Sequence, residues 1–200
     1  MTLKVRECSD ADEGLWDRFV ASCPEATFFH RFAWRRVLQR AFQHRCIYLV
    51  AERDDRVEGV LPMAQVKSTL FGNSLSSLPF CVYGGIAAAS GEARKELREA
   101  ACERARELRV DALELRNQSD SGSGWPTKDL YYTFRKPIEA DNDANMKAVP
   151  NKQRAMIRKG IKSGLTSEET RDTRRLYRVY SESVRNLGTP VFSARYLQVL

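Results

Sequence analysis

Two adjacent glycines inside an apolar stretch, Leu78-Pro79-Phe80-Cys81-Val82-Tyr83-Gly84-Gly85-Ile86, are the first residues whose types and spacing suggest chemistry. Glycines in such a place allow a bulge or a close backbone approach by a ligand. A splayed strand there exposes N–H groups toward an acyl carbonyl or its oxyanion. A tight turn between two strands explains the same glycines equally well. A second candidate is the run Lys152, Arg154, Arg158, Lys159 and Lys162, with no acid between Lys147 and Gly164. On a helix all five fall within an arc of about 160°, and Ile157 and Ile161 fall on the adjoining face. Such a helix rests on a core by its isoleucines and presents cations to phosphate; a solvated basic face is the competing reading. The third is Trp34-Arg35-Arg36, where arginines suited to bidentate phosphate contact stand on the side of a helix anchored by tryptophan, with a solvated helix face as the competing reading.

Single residues add little. His30 follows Phe28-Phe29 and has the chemistry of a general base, though histidines so placed more often cap or pack. Cys81 beside the glycines is a candidate nucleophile with apolar flanks and no nearby histidine. Glu114 and Asp129 are lone acids without a readable partner. No P-loop, GxGxxG, GxSxG or HExxH motif occurs. Arg56-Val57-Glu58-Gly59-Val60-Leu61 superficially echoes an RxxGxG/A pyrophosphate loop, but it sits in a hairpin rather than between a strand and a helix.

The elements that position these residues follow from hydrophobic periodicity. Leu3–Glu7 reads as a short strand. Asp10 to Val20 reads as a helix with Leu15, Trp16 and Phe19 on one stripe, broken by Pro24. A second helix is expected from Arg31 to Phe42. Cys46–Glu52 and Val57–Lys67 form a hairpin about Asp54-Asp55-Arg56, and its near-continuous apolar character places it at a sheet centre. Leu75–Ile86 reads as β-like, Glu92–Leu108 as the clearest helix, and Val110–Leu115 and Tyr131–Ile138 as strands, with a Ser/Gly loop at Ser119–Gly124. Asp141-Asn142-Asp143 is a polar seam and the expected domain boundary, giving domains 1–140 and 141–200. Helices then run over Asn151–Ser163, about Thr170–Asn186 with Leu176, Tyr180, Val184 and Leu187 inward, and from Ser193 to the end. The apolar Leu197, Val199 and Leu200 lack a cap and anything after them to pack on, so the second domain reads as truncated.

The chain has 200 residues, with 42% hydrophobic and 30% charged residues. That composition excludes collagen, a disulfide miniprotein and wholesale disorder. No stretch approaches the length of a membrane span, and the first ten residues lack the apolar core of a secretory signal. Five scattered cysteines without a CxxC and only two histidines read as reduced thiols in a cytoplasmic protein, with no metal site and no disulfide framework. Net charge is +7, yet residues 147–200 hold 12 Lys+Arg against 4 Asp+Glu. This basic quarter attracts phosphates, whether on a nucleotide-linked substrate, an RNA or an anionic lipid. The order of elements is an α/β pattern with an antiparallel hairpin and a βαβ step. It fits the N-acyltransferase (GNAT) architecture, a mixed sheet flanked by helices.

Several segments in order resemble one family. These are Thr27-Phe28-Phe29-His30 followed by Trp34, Leu78–Ile86 with Tyr83-Gly84-Gly85, the helix Glu92–Leu108 with the strand Val110–Arg116, the basic stretch Asn151–Leu165, and Asn186–Tyr196. Together they are similar to the FemAB-type, GNAT-like aminoacyl/acyltransferases. They look most like the FemAB-related branch associated with exosortase/PEP-CTERM systems. Where the family strand usually reads Pro-Arg-Gly-Pro, this chain has Tyr83 or Val82 at the arginine position.

The resemblance implies tandem GNAT-like domains and transfer of an acyl or aminoacyl group to an amine of a cell-envelope precursor. It implies aminoacyl-tRNA or acyl-CoA as donor, with no bound cofactor, and a phosphate-bearing precursor as acceptor. Carried over by motif, the phosphate-holding cations are Arg36 and Arg154, with Arg158 beside them. Tyr83, Gly84 and Gly85 complete the expected substrate-binding set, the two glycine N–H groups facing the oxyanion, and no general base is identified. The branch implies envelope or exopolysaccharide chemistry. Two readings stand beside it: an acyl-CoA-dependent N-acyltransferase, and a non-catalytic binder of RNA or of an anionic membrane surface through the basic quarter.

Overall fold

The computed structural model describes residues 2–70, 72–119, 122, 124–128 and 130–200. Asp129 and residues 120, 121 and 123 of the Ser/Gly loop lie outside the described residues. Contacts divide the chain into two compact units, residues 1–123 with 174–200, and residues 124–173.

The larger unit is built on a mixed sheet. Strand β1 (Lys4–Glu7) leads through a 3-10 turn into helix α1 (Glu13–Ser22), then through a second 3-10 turn (Phe28–His30) into α2 (Ala33–Phe42). Strands β2 (Arg45–Arg53) and β3 (Arg56–Ser68) form the expected hairpin. Its two-residue turn holds Asp54 and Asp55 at φ 52° and 61°, a doubly left-handed turn whose twist matches the strands. Strand β4 (Gly72–Ser77) pairs antiparallel with β3, and the short β5 (Ala87–Ala88) pairs with β3 further along. Helix α3 (Gly91–Glu107) then crosses to β6 (Ala112–Glu114), which lies parallel to β4. The order is β1-β2-β3-β4-β6. This is the α/β class expected from the sequence.

Side chains alternate across β2, as strand geometry requires. Tyr48 and Val50 face a core shared with Trp16, Phe32 and Leu38 of the first helices. Ile47, Leu49 and Ala51 face a core shared with Leu97 and Ala101 of α3. Trp16 stacks on Tyr48 at 5.0 Å and donates its indole N–H to the His30 carbonyl at 2.6 Å. That bond fixes the turn before α2. Ser90 caps α3 by accepting from the Ala93 amide.

The region 75–86 departs from the expected continuous strand. The chain leaves the sheet after Ser77 and returns only at Ala87. Pro79 has no N–H for a ladder, and Leu78 and Phe80 sit at φ 45° and 71°, outside strand geometry. Residues 78–86 therefore form an excursion between two strands that both pair with β3.

Residues 174–200 carry nearly all of the helix Thr173–Asn186, α6 in chain order, and end in a short helix. In the smaller unit α4 (Asn142–Ala148) is capped by Asp141, which accepts from the Asp143 and Ala144 amides, so the polar seam at 141–143 is a helix start. Helix α5 (Asn151–Lys162) follows. The expected strand Tyr131–Ile138 is not formed; Tyr131, Tyr132, Phe134 and Ile138 are exposed, and among the described residues no strand pairs with the segment. In the larger unit, the inward stripe expected on α6 is also corrected: Leu176, Tyr180 and Leu187 are exposed, and only Val184 is half-buried. In the final helix α7 (Ala194–Val199), Tyr196 and Val199 pack on the core, and the Tyr196 ring lies 5.2 Å from Phe42.

Candidate functional site

Parallel β4 and β6 end side by side, Ser76 opposite Glu114. Ligands in open α/β sheets bind just outside the carboxyl ends of parallel strands. A cavity of about 220 Å³ lies there, lined by Glu25, His30, Gly85, Arg94, Arg116 and Asn117 among others, all from the larger unit.

Two residues after β6 hold the excursion in place. The Arg116 amide donates to Ser77 Oγ at 2.7 Å, and its guanidinium donates from Nη1 to the Cys81 carbonyl at 2.7 Å and from Nε to Glu114 at 3.0 Å. The Arg116 carbonyl accepts from both Gly84 (3.2 Å) and Gly85 (3.0 Å). Asn117 Oδ1 accepts from the Ile86 amide at 3.0 Å. The N–H groups expected to face an oxyanion at Gly84 and Gly85 are thus donated to Arg116 instead. The glycines are required for another reason: a Cβ on Gly85 would lie 2.1 Å from Asn117 Oδ1 and 2.8 Å from its Cα, and one on Gly84 would lie 2.5 Å from the Leu78 side chain. Tyr83 is half-buried in the same excursion.

His30 forms the opposite wall. It is buried, and its Nδ1 accepts from the Thr27 amide at 3.0 Å. The ring proton therefore sits on Nε2, which donates to the Gly85 carbonyl at 3.0 Å. Burial lowers its pKa below the ordinary 6.5, against the two backbone bonds that raise it. With both nitrogens engaged, His30 is a neutral structural bridge. Glu25 accepts from the Ala88 amide at 3.0 Å and pairs with Arg94, whose Nη1 also reaches the Ile86 carbonyl. The rim thus holds two guanidiniums, one carboxylate and the Asn117 carboxamide around a neutral imidazole. That arrangement suits a polar group bearing a carbonyl or a negative charge.

The other expected residues lie elsewhere. Arg36 is exposed on α2 and pairs with Glu13 at 2.8 Å, while the buried Trp34 anchors that helix as expected. In the smaller unit the Arg154 guanidinium donates to the Lys147 and Val149 carbonyls and so closes the end of α4, and Arg158 is exposed on α5. Burial pushes the Cys81 thiol up to about 12, which removes the thiolate a nucleophile needs. Glu114 has partners in Arg116 and Ser76. The hairpin loop Arg56–Leu61 belongs to β3, where a Cβ on Gly59 would meet Leu97 at 2.8 Å. Glu25, Arg94, Arg116 and Asn117 were missed by the sequence reading. Their one sequence signal is a polar run, Arg116-Asn117-Gln118-Ser119, at the end of a strand in a βαβ step.

Comparison with solved structures gives a decisive likeness. The crystal structure of FemX matches with a TM-score of 0.66 at 17% identity, over 98% of this chain and 53% of FemX. The chain shares the fold of the matched half of FemX. It spans about half the length of FemX. Shorter chains also match over 68% of this one: a GNAT family acetyltransferase from Staphylococcus aureus (TM-score 0.46, 14% identity, all of that chain) and a ribosomal-protein-alanine N-acetyltransferase from Brucella melitensis biovar Abortus (TM-score 0.46, 16% identity, all of that chain). No protein-family model and no curated protein sequence matches.

Proposed function

We propose that this chain holds the substrates of an acyl or aminoacyl transferase acting on an amine of a cell-envelope precursor. The observation that carries the proposal is the FemX-like fold with a polar cavity at the carboxyl ends of its parallel strands. In that reaction the amine nitrogen attacks the acyl carbonyl. A C–N bond forms, the donor's ester C–O or thioester C–S bond breaks, and the leaving oxygen or sulfur takes up the proton that the amine gives up. In this reading the Arg116 guanidinium and the Asn117 carboxamide hold the acyl carbonyl, Gly85 lines the cavity, and Tyr83 and Gly84 belong to the excursion behind it. Catalysis then rests on positioning and on electrostatic stabilisation. Arg36 on α2, and Arg154 and Arg158 on α5, are the cations assigned to the phosphates of the precursor. The donor is an aminoacyl-tRNA or an acyl-CoA, and the segment Asn186–Tyr196 supports the exosortase-associated branch.

Calorimetric titration with a UDP-linked muropeptide precursor, with UDP and tRNA as controls at low and high salt, tests the proposal. Saturable binding that prefers the precursor and weakens in Arg116→Gln and Arg36→Ala supports it. Equal, salt-labile binding of every polyanion leaves only a basic surface and overturns it.

A further inference from the structure

The excursion 78–86 opens with a turn that its own residues disfavour. The Cys81 amide donates to the Leu78 carbonyl at 3.2 Å and closes a four-residue turn with Pro79 and Phe80 at its centre. Proline fixes its own φ at about −65°, and Phe80 follows at φ 71°. That is the pattern of a type II turn, whose third position requires a positive φ and therefore favours glycine or asparagine. Phenylalanine holds that position here, and Leu78 at the first corner is left-handed as well, at φ 45°. Bulky residues persist in this region only where their surroundings over-determine them.

What surrounds Phe80 is a set of rings from two other places in the same unit. Its ring lies 4.4 Å from Phe42 on α2 and 5.4 Å from Phe192, just before α7. Phe192 and Tyr196 lie 5.0 Å apart, and each also meets Phe42. Phe80 stays 42% exposed, so these neighbouring rings rather than the core hold it.

The other side of the excursion is held by residues of the cavity. The Cys81 carbonyl, next to Phe80 in the chain, accepts from the Arg116 guanidinium. The Leu78 side chain lies so close to Gly84 that a Cβ there would come within 2.5 Å of it. The Gly84 and Gly85 amides donate to the Arg116 carbonyl, and Gly85 and Arg116 line the cavity. One short segment is thus fixed by the ring stack at its first turn and forms part of the cavity wall at its end.

We propose that the segment Phe192–Val199 controls the cavity through this turn. Docked, its rings hold Phe80 in the left-handed conformation, and Gly84 and Gly85 stay on Arg116. Undocked, it leaves the turn with nothing to offset its backbone strain, so the turn relaxes and the wall at Gly85 loosens. The control uses only packing within the larger unit. It holds whatever the cavity binds, and it stands or falls apart from the transferase reading.

Hydrogen–deuterium exchange of the full chain without ligand, read at single amides by NMR, tests it. In Phe192→Ala the amides of residues 81, 84, 85 and 86 are expected to exchange roughly tenfold faster, while those of β2 and β3 keep their rates. Phe80→Gly separates control from mere packing, because glycine occupies the turn without strain. In Phe80→Gly the four amides should exchange as slowly as in the parent, and adding Phe192→Ala should leave them there. Should Phe192→Ala not fold, Phe192→Leu, which removes the ring but keeps an apolar side chain, carries the same comparison. Four unchanged amides in the Phe192 variant, acceleration spread evenly through β2 and β3, or the same acceleration with Phe80→Gly present overturns the proposal. So does acceleration in Phe80→Gly alone, since the ring would then support the wall without any strain to offset.

Discussion

His30 donates from Nε2 to the Gly85 carbonyl at 3.0 Å, and this bond ties the turn before α2 to the excursion that closes the sheet. The same ring accepts the Thr27 amide at Nδ1. His30→Ala leaves the part-buried Thr27 amide and the buried Gly85 carbonyl without these partners. A loss of roughly 2–4 kcal/mol is expected, read as a lowered urea midpoint with an unchanged slope. A variant as stable as the parent would mean the bridge contributes nothing.

The same residue makes stability depend on pH. The folded His30 has a pKa below its ordinary 6.5, so the unfolded chain binds more protons in the interval between the two values. Its contribution is complete above pH 6.5 and declines as the pH falls through that interval. His44, whose pKa burial also lowers, acts in the same direction. Urea midpoints should fall from neutral to mildly acidic pH, and less steeply in His30→Gln. A midpoint that rises on acidification contradicts the assignment.

Gly85 and Gly91 should respond oppositely to alanine. At Gly85 the new Cβ collides with the side chain and backbone of Asn117, so Gly85→Ala should cost about 1–3 kcal/mol or more by pushing the excursion off Arg116 and Asn117. Gly91 begins α3 with nothing within 4 Å of its Cβ position, so Gly91→Ala should stabilise by about 0.4–1 kcal/mol. Thermal melts of the two variants decide. Equal effects would mean that the close approach at Gly85 is absent in solution.

Cysteine reactivity reports on the same packing. Burial pushes the thiols of Cys8, Cys46 and Cys81 up to about 12, whereas Cys102 on α3 is half-exposed. Mass spectrometry after brief iodoacetamide treatment should find Cys102 labelled first, with the other three reacting only on unfolding. Early labelling of Cys81 would revive it as a nucleophile.

The local elements were legible where pattern and packing agree. The β2–β3 hairpin reads directly from its apolar run and its Asp-Asp turn, and α3 from the stripe through Leu97 and Ala101. The excursion 78–86 was not, because what stabilises it comes from Arg116 and Asn117, some thirty residues away. At the glycine pair both N–H groups donate to one carbonyl, and the missing Cβ atoms make room for Leu78 at Gly84 and for Asn117 at Gly85. Tyr131–Ile138 has strand composition but no pairing neighbour among the described residues, and the α6 stripe is apolar yet exposed. The cavity residues Glu25, Arg94 and Arg116 are charged side chains like many others in the sequence. The fold brings them to one rim from three places: Glu25 after α1, Arg94 on α3 and Arg116 after β6.

Hydrogen–deuterium exchange with and without the UDP-linked muropeptide precursor tests the assignment of the cavity most directly. A ligand seated at the ends of β4 and β6 slows exchange at residues 84–88 and 116–119, with protection on α5 as well where Arg154 and Arg158 hold its phosphates. Protection confined to α5 and α6, or none anywhere at saturating precursor, contradicts the cavity as the transfer site.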